Sequence, residues 1–117
     1  MKGDEERIIV AFCLYLEHAG WAVEREVEFV DVVATRGGDR IYAEAKGKTA
    51  APGLDVDTMY GQLLRRMPPD EVGYARFAVV VPSSALSMAL RVPERVRELL
   101  AVDVYAVDDD GTVERSI

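Results

Sequence analysis

The strongest constraint on the fold is a near-continuous apolar run from Tyr74 to Val81, which consists mainly of valine and alanine. Valine favours strands, and a strand that lacks polar alternation has both of its faces covered by other elements. This run therefore predicts a central strand in a sheet with helices on both sides. Because 117 residues suffice for one such unit, we expect a single domain over residues 1–117.

The remaining elements follow from the periodicity of the apolar residues. Helical spacing predicts three helices: residues 4–20 with Asp4 as the N-cap, residues 55–67 capped by Asp55 or Asp57, and residues 83–100, interrupted or kinked at Pro93. Apolar runs and alternation predict five strands: residues 21–28, 30–35, 40–47, 74–81 and 102–107. The predicted order is α-β-β-β-α-β-α-β, an α/β fold in which helices flank a mixed central sheet.

Two of these strands form a hairpin that brings acidic residues together. Gly37 and Gly38 supply the positive φ angles of a tight turn, and a turn centred between them places Asp31 opposite Glu44. Side chains alternate along a strand, so Lys46 emerges on the same face as Glu44. The other face is apolar and is expected to face the core; it carries Val30, Val32, Ala34, Ile41, Ala43 and Ala45.

The patch formed by these acidic residues has the chemistry of a metal site. Two carboxylates directly opposite each other in a sheet repel by up to about 1 kcal/mol, and a divalent cation removes that cost. Oxygen ligands suit Mg²⁺ or Mn²⁺, which also bind phosphate oxygens. A lysine beside the ion orients the attacking water or stabilises charge on a phosphate. Asp31, Glu44 and Lys46 therefore predict metal-assisted hydrolysis of phosphodiester bonds.

Asp31 and the triplet Glu44-Ala45-Lys46, on the second and third strands after an N-terminal helix, resemble the PD-(D/E)XK nuclease superfamily. The layout is most similar to the Mrr-type, archaeal Holliday-junction resolvase and mismatch-endonuclease branches. The resemblance covers roughly residues 4–107 and implies a restriction-endonuclease-like core. It implies that Asp31 and Glu44 bind Mg²⁺ or Mn²⁺. The backbone carbonyl of Ala45 would be a further ligand, and Lys46 would assist the attacking water.

The same resemblance adds two further site candidates. Several branches place a glutamine on the helix after the third strand, and Gln62 within Tyr-Gly-Gln-Leu-Leu is similar to that motif. Others use an acidic residue of the first helix as a metal ligand, for which Glu6 is the candidate because it shares a stripe with Ile9 and Cys13. The sequence departs from the family pattern in having Val30 where a proline often precedes the aspartate, and in a long loop before Gln62.

The net charge of −7 is unevenly distributed along the chain. Residues 31–66 carry six basic and five acidic side chains, whereas the segments on either side each carry an excess of four acidic ones. The composition therefore allows a nucleic-acid substrate, with Lys48, Arg65 and Arg66 as candidate contacts at a basic rim. The expected partners are DNA, a second copy of the chain that cuts the other strand, and a protein that supplies specificity.

Structural interpretations stand beside these functional ones. A Glu-x-Lys triplet arises readily in a chain with 30% charged residues, Gln62 suits a solvated helix surface, and Glu6 suits the first turn of a helix. The alternative to an enzyme is a catalytically inactive module on the same fold, serving a larger nucleic-acid-processing or defence complex. The intact pair of Asp31 and Glu44 favours the enzyme, because an inactive copy has no need to retain mutually repelling carboxylates.

Several other classes of protein do not fit the sequence. The longest apolar run, Ile8–Leu16, is too short to cross a membrane. A secretory signal needs a basic start, but acidic residues follow Lys2 at once. Cys13 and His18 are the only residues of their types, which rules out a disulfide framework and a Cys/His zinc site. These observations predict a cytoplasmic protein.

Overall fold

The computed structural model describes residues 2–116, with side chains from residue 4 onward, and is built on one six-stranded mixed sheet. Its strands, in spatial order, are β1 (Ala22–Val27), β2 (Val30–Arg36), β3 (Asp39–Ala45), β4 (Arg76–Pro82), β5 (Val102–Val107) and β6 (Val113–Ser116). Its α-helices are α1 (Lys2–His18), α2 (Pro52–Arg66), α3 (Leu86–Ala89) and α4 (Glu94–Leu100). The β3–β4 and β4–β5 pairs are parallel and the other three antiparallel.

The predicted central strand is confirmed. β4 lies between β3 and β5, and its residues from Phe77 to Pro82 are all buried. Parallel strands are typically covered on both faces, which explains why this strand lacks polar alternation. The strand begins at Arg76, two residues later than the apolar run, and Tyr74 stays exposed in the preceding turn. The α/β architecture with helices beside a mixed sheet is as expected and is compatible with a restriction-endonuclease-like core.

Separate hydrophobic clusters cover the two faces of the sheet. On one face α1 packs through its buried stripe, which consists of Ile8, Phe12 and Leu16, against β2, β3 and β4. On the other face α2 contributes Met59 and Leu63. The hairpin face that carries Glu44 is therefore also largely buried. Val30, expected to share the face of Val32, instead joins the α2 cluster, at the end of the hairpin where positive φ angles interrupt the strand geometry.

The helix boundaries correct several sequence predictions. α1 begins at Lys2, so Asp4 lies in its first turn and is not its N-cap. α2 begins at Pro52 with Ala51 as its N-cap, which makes the preceding loop shorter than predicted; proline at the first helical position has the required φ and needs no N–H partner. Of the two alternatives at Pro93, the structure shows the interruption: a 3₁₀ turn and α3 come first, and Pro93 is the N-cap of α4, because proline cannot continue a helix.

Two further differences concern the strands and their turns. β6 was not predicted, because four residues with charged alternation carry little signal; it pairs antiparallel with β5 after the acidic turn at Asp108–Gly111. In the β2–β3 turn Gly37 has a φ of 60°, whereas Gly38 does not have a positive φ. None of the helices within residues 2–116 is long and apolar enough to cross a membrane.

A close backbone approach joins the end of β3 to the start of α1. A Cβ atom placed on Gly47 would lie 2.5 Å from the backbone nitrogen of Glu5 and 2.8 Å from the carbonyl carbon of Asp4. These are rigid backbone atoms, so only glycine fits here without displacing the helix. The Asp4 carboxylate also accepts a hydrogen bond from the Lys48 backbone N–H, which tightens the same junction.

We expect Gly47→Ala to destabilise the protein by about 1–3 kcal/mol, because the added methyl group pushes the N-terminus of α1 away from β3. The free energy of unfolding, measured by urea denaturation, tests this. Gly38→Ala is the control, because its Cβ would meet no atom within 4 Å. Equal stability of the two variants would contradict the close approach.

Candidate functional site

The predicted register of the β2–β3 hairpin is confirmed. The observed pairs run from Arg36–Asp39 to Val32–Ala43, and one further step of the same register places Asp31 opposite Glu44. The backbone N–H of Ala45 donates a hydrogen bond to Asp31 Oδ2 at 2.9 Å, which fixes the aspartate side chain against β3. The paired carboxyls predicted from the turn geometry are therefore neighbours in the structure.

These residues line a pocket of about 620 Å³ at the end of the hairpin. The sequence-predicted site residues that line it are Asp31, Glu44, Ala45, Lys46 and Gln62. Arg66 lines it too, and the structure adds Glu5, Glu26, Glu28 and Phe29. These groups come from three places: strands β1–β3 with the residues that adjoin their ends, the first turn of α1, and the C-terminal half of α2. We call this cavity the hairpin pocket.

Glu44 is the most buried charged residue of the hairpin pocket, with 1% of its surface exposed. Burial disfavours the ionised carboxylate and raises the pKa of Glu44 from 4.5 to about 7, with a contribution from the Asp31 carboxyl. The Arg66 guanidinium opposes this rise, because its Nη1 donates a hydrogen bond to Glu44 Oε1 at 2.8 Å. Glu44 therefore changes its charge near neutral pH in the metal-free protein.

The three predicted nucleic-acid contacts do not form one rim. Arg66 binds Glu44 inside the hairpin pocket and also donates to the backbone carbonyl of Phe29 at 2.8 Å. Lys48 Nζ lies 3.1 Å from Asp109 Oδ1 in the β5–β6 turn, outside the pocket. Arg65 is exposed on α2 and does not line the pocket. Helical geometry separates adjacent side chains by about 100°, which sends Arg65 and Arg66 in different directions.

The structure places Glu5, and not Glu6, at the pocket. Glu6 does not line the pocket and is ion-paired with Arg25 of β1 at 2.6 Å. Glu5 Oε1 lies 4.0 Å from Lys46 Nζ, and burial, with a further contribution from Asp31, raises the pKa of Glu5. A sequence signal for Glu5 existed: it stands three residues before Ile8 and seven before Phe12, which are both fully buried positions of α1.

The donor set of the hairpin pocket suits a hard, partly hydrated cation. Asp31 and Glu44 offer carboxylate oxygens, and the Ala45 carbonyl and Gln62 amide are neutral oxygen donors of the same pocket. Within residues 2–116 no three side chains of the His, Cys, Asp and Glu types are arranged to hold a metal on their own. Mg²⁺ commonly uses one or two carboxylates and retains several waters, so the donors present fit such an ion. A bound cation would compete with Arg66 for Glu44.

Comparison with known proteins yields matches among solved structures only. No protein-family model and no curated protein sequence matches the chain. A crystal structure of an XisH family protein from Nostoc punctiforme superposes with a TM-score of 0.62 at 18% identity, over 92% of this chain and 96% of that one. An FdxN element excision controlling factor protein from Anabaena variabilis gives a TM-score of 0.60 at 20% identity, over 97% of both chains. At these identities the likeness shows a shared fold.

We expect Glu44→Gln to stabilise the metal-free protein at alkaline pH. The folded state holds the proton on Glu44 more tightly than the unfolded chain, so this group's stabilisation is fully present below pH 4.5 and is lost as the pH rises through about 7. The loss is on the order of 3 kcal/mol. Urea denaturation in EDTA at about pH 5 and about pH 8 measures it, and the advantage of the variant should appear at the higher pH.

Glu6→Gln provides the contrast for this measurement. The ion pair with Arg25 lowers the pKa of Glu6, so its stabilisation is present above the ordinary glutamate pKa and disappears on acidification. Its loss in the variant should therefore lower stability at alkaline pH, opposite in sign to Glu44→Gln. A Glu44→Gln protein that is less stable than wild type at about pH 8 would contradict the burial cost assigned to this carboxyl.

Proposed function

We propose that this protein is a metal-dependent nuclease that hydrolyses phosphodiester bonds of DNA, with Mg²⁺ or Mn²⁺ as its cofactor. The observation that carries the proposal is the convergence of Asp31, Glu44 and Lys46 on one pocket, with Gln62 beside them. A carboxylate pair and an ammonium in a partly buried cleft are the groups that phosphoryl-transfer chemistry uses. The resemblance of Asp31 and Glu44-Ala45-Lys46 to the PD-(D/E)XK pattern supports the same conclusion.

Each residue of the hairpin pocket has a distinct role in the proposed reaction. The cation, when bound, neutralises charge on the phosphate and makes water a stronger nucleophile near neutral pH. Asp31 and Glu44 would hold the cation, and Glu44 must give up its proton to do so. Lys46 Nζ, kept near the pocket by Glu5 at 4.0 Å, would orient the attacking water and stabilise negative charge on the phosphate. Gln62 would position the substrate by hydrogen bonds from its amide.

A second candidate function is a catalytically inactive interaction module on the same fold, serving a larger nucleic-acid-processing or defence complex. Two observations favour it: the Arg66 guanidinium already occupies Glu44 Oε1, and one neighbour of the fold is described as an excision controlling factor. In this alternative the hairpin pocket is a structural ion-pair cluster. In either case we propose a cytoplasmic protein that acts on DNA, as a homodimer or with a protein partner that supplies specificity.

Purified protein with Mg²⁺ or Mn²⁺ should cleave single-stranded, duplex, branched or mismatched DNA, and EDTA should stop the reaction. Lys46→Ala should lower the cleavage rate at least about 100-fold, because it removes the ammonium at the reacting phosphate, and should still bind Mn²⁺ in calorimetry. Asp31→Ala should lose both cleavage and Mn²⁺ binding, because it removes a carboxylate ligand.

Lys48→Ala is the matched control, because Lys48 lies outside the hairpin pocket, and it should cleave at a rate close to wild type. Absence of cleavage on all four substrates, together with wild-type stability and no Mn²⁺ binding, would leave the non-catalytic module as the better account. Cleavage that survives Lys46→Ala would refute the role given to this lysine.

A further inference from the structure

An exposed aromatic ring stands at the mouth of the hairpin pocket. Phe29 lines the pocket together with Asp31 and Glu44, yet 83% of its surface is exposed. A phenyl ring gains stability mainly from apolar area removed from water, and this one removes little. The fold therefore does not account for an aromatic residue at this position.

The backbone conformation at Phe29 is also unfavourable for a large side chain. Glu28 and Phe29 form a two-residue turn closed by the Val27–Val30 pair, with φ values of 49° and 72°. Two successive positive φ angles define the type I′ turn, which favours Asn-Gly because larger side chains are strained there. Glu26, two residues before the turn, has a φ of 55° as well. The chain thus has a large exposed ring at a position where glycine would give a more stable fold.

The turn that carries Phe29 is linked through hydrogen bonds to Glu44 in the hairpin pocket. Arg66 Nη1 donates to the Phe29 carbonyl and to Glu44 Oε1, both at 2.8 Å. One guanidinium therefore links the backbone that carries the ring to a carboxyl that the proposed reaction uses. The ring is held beside the site, where it can contact a group that neighbours a bound phosphate.

The charges that line the pocket favour single-stranded over double-stranded nucleic acid. Its acidic lining residues are Glu5, Glu26, Glu28, Asp31 and Glu44, whereas its basic ones are Lys46 and Arg66. A duplex brings two phosphate backbones and needs many cationic contacts, whereas the hairpin pocket is lined by two basic residues and five acidic ones. Stacking of a base on an aromatic ring requires no positive charge and is available to any unpaired base.

We propose that Phe29 stacks on an unpaired base next to the scissile phosphate, so that the substrate is single-stranded DNA or an unpaired stretch within a duplex. This inference rests on the proposed nuclease function and adds its substrate class. Glu26 and Glu28 contribute by repelling a second phosphate backbone from the pocket mouth. A single strand enters with its bases toward Phe29 and one phosphate toward Lys46.

Binding measured in the Lys46→Ala background with Mg²⁺ tests the inference without cleavage. By fluorescence anisotropy, a labelled single strand should bind more tightly than its fully paired duplex. Adding Phe29→Ala should weaken single-strand binding about 5- to 150-fold, the range expected for one stacked base, and should change duplex binding little. Phe29→Trp should retain single-strand binding, because it preserves an aromatic face. Tyr74→Ala is the control, since Tyr74 is 86% exposed and lies outside the hairpin pocket.

Phe29→Gly separates stacking from damage to the fold. Relief of the positive φ should raise the melting temperature, while loss of the ring should weaken single-strand binding as much as Phe29→Ala does. A more stable protein that binds a single strand less well would support the inference. Single-strand binding unchanged in both variants, or tighter binding of the duplex, would overturn it.

A cleavage assay on the wild-type protein distinguishes failure of the nuclease proposal from failure of the stacking proposal. If the wild-type protein cleaves DNA but Phe29→Ala cleaves single strands as fast as before, the stacking inference fails and the nuclease stands. If the wild-type protein does not cleave but Phe29-dependent binding of single strands is found, the nuclease proposal fails and the stacking role is supported. Binding of neither single strand nor duplex would overturn the inference.

Discussion

Burial of the Glu44 carboxyl between the Asp31 carboxyl and the Arg66 guanidinium is the interaction on which the site depends. A carboxylate with 1% exposure is costly, and the hydrogen bond from Arg66 at 2.8 Å offsets only part of that cost, because the pKa of Glu44 still rises to about 7. Because Arg66 also binds the Phe29 carbonyl, the same guanidinium joins α2 to the β1–β2 turn. Arg66 thus connects α2 to β3 and to the β1–β2 turn, and a metal ion that displaced Arg66 from Glu44 would loosen that connection.

The effect of the chain's negative net charge on nucleic-acid binding depends on where the charged side chains lie in the structure. Of the expected basic contacts, Arg66 is used inside the pocket, and Lys48 lies beside Asp109. The pocket mouth is lined by Glu26 and Glu28. A surface of this kind binds polyanions weakly and only where a cation or a stacked base compensates the repulsion. The net charge therefore restricts the form of nucleic acid that could enter, and it does not oppose nucleic acid as a class.

Sequence patterns predicted the hairpin well because its register depends on local rules. The glycine turn and the alternation of side chains suffice to place Asp31 opposite Glu44, and the burial of residues 77–81 follows from their composition. Glu5 was missed because two adjacent glutamates occupy the first turn of α1, and small differences in helix rotation decide which one faces the sheet. The split between α3 and α4 agrees with the interruption that Pro93 allowed in the sequence, where a kink was the other alternative.

The sequence by itself determined the strand that forms the sheet centre, the order of strands and helical segments as far as β5, and the pairing of the two central carboxyls, because all three depend on short-range periodicity and turn geometry. Only the tertiary structure decided that Arg66 pairs with Glu44, that Glu5 approaches Lys46, and that Phe29 stands exposed at the same pocket. These contacts join residues far apart in the chain. Their geometry depends on how α1 and α2 pack against opposite faces of the sheet, which no local pattern encodes.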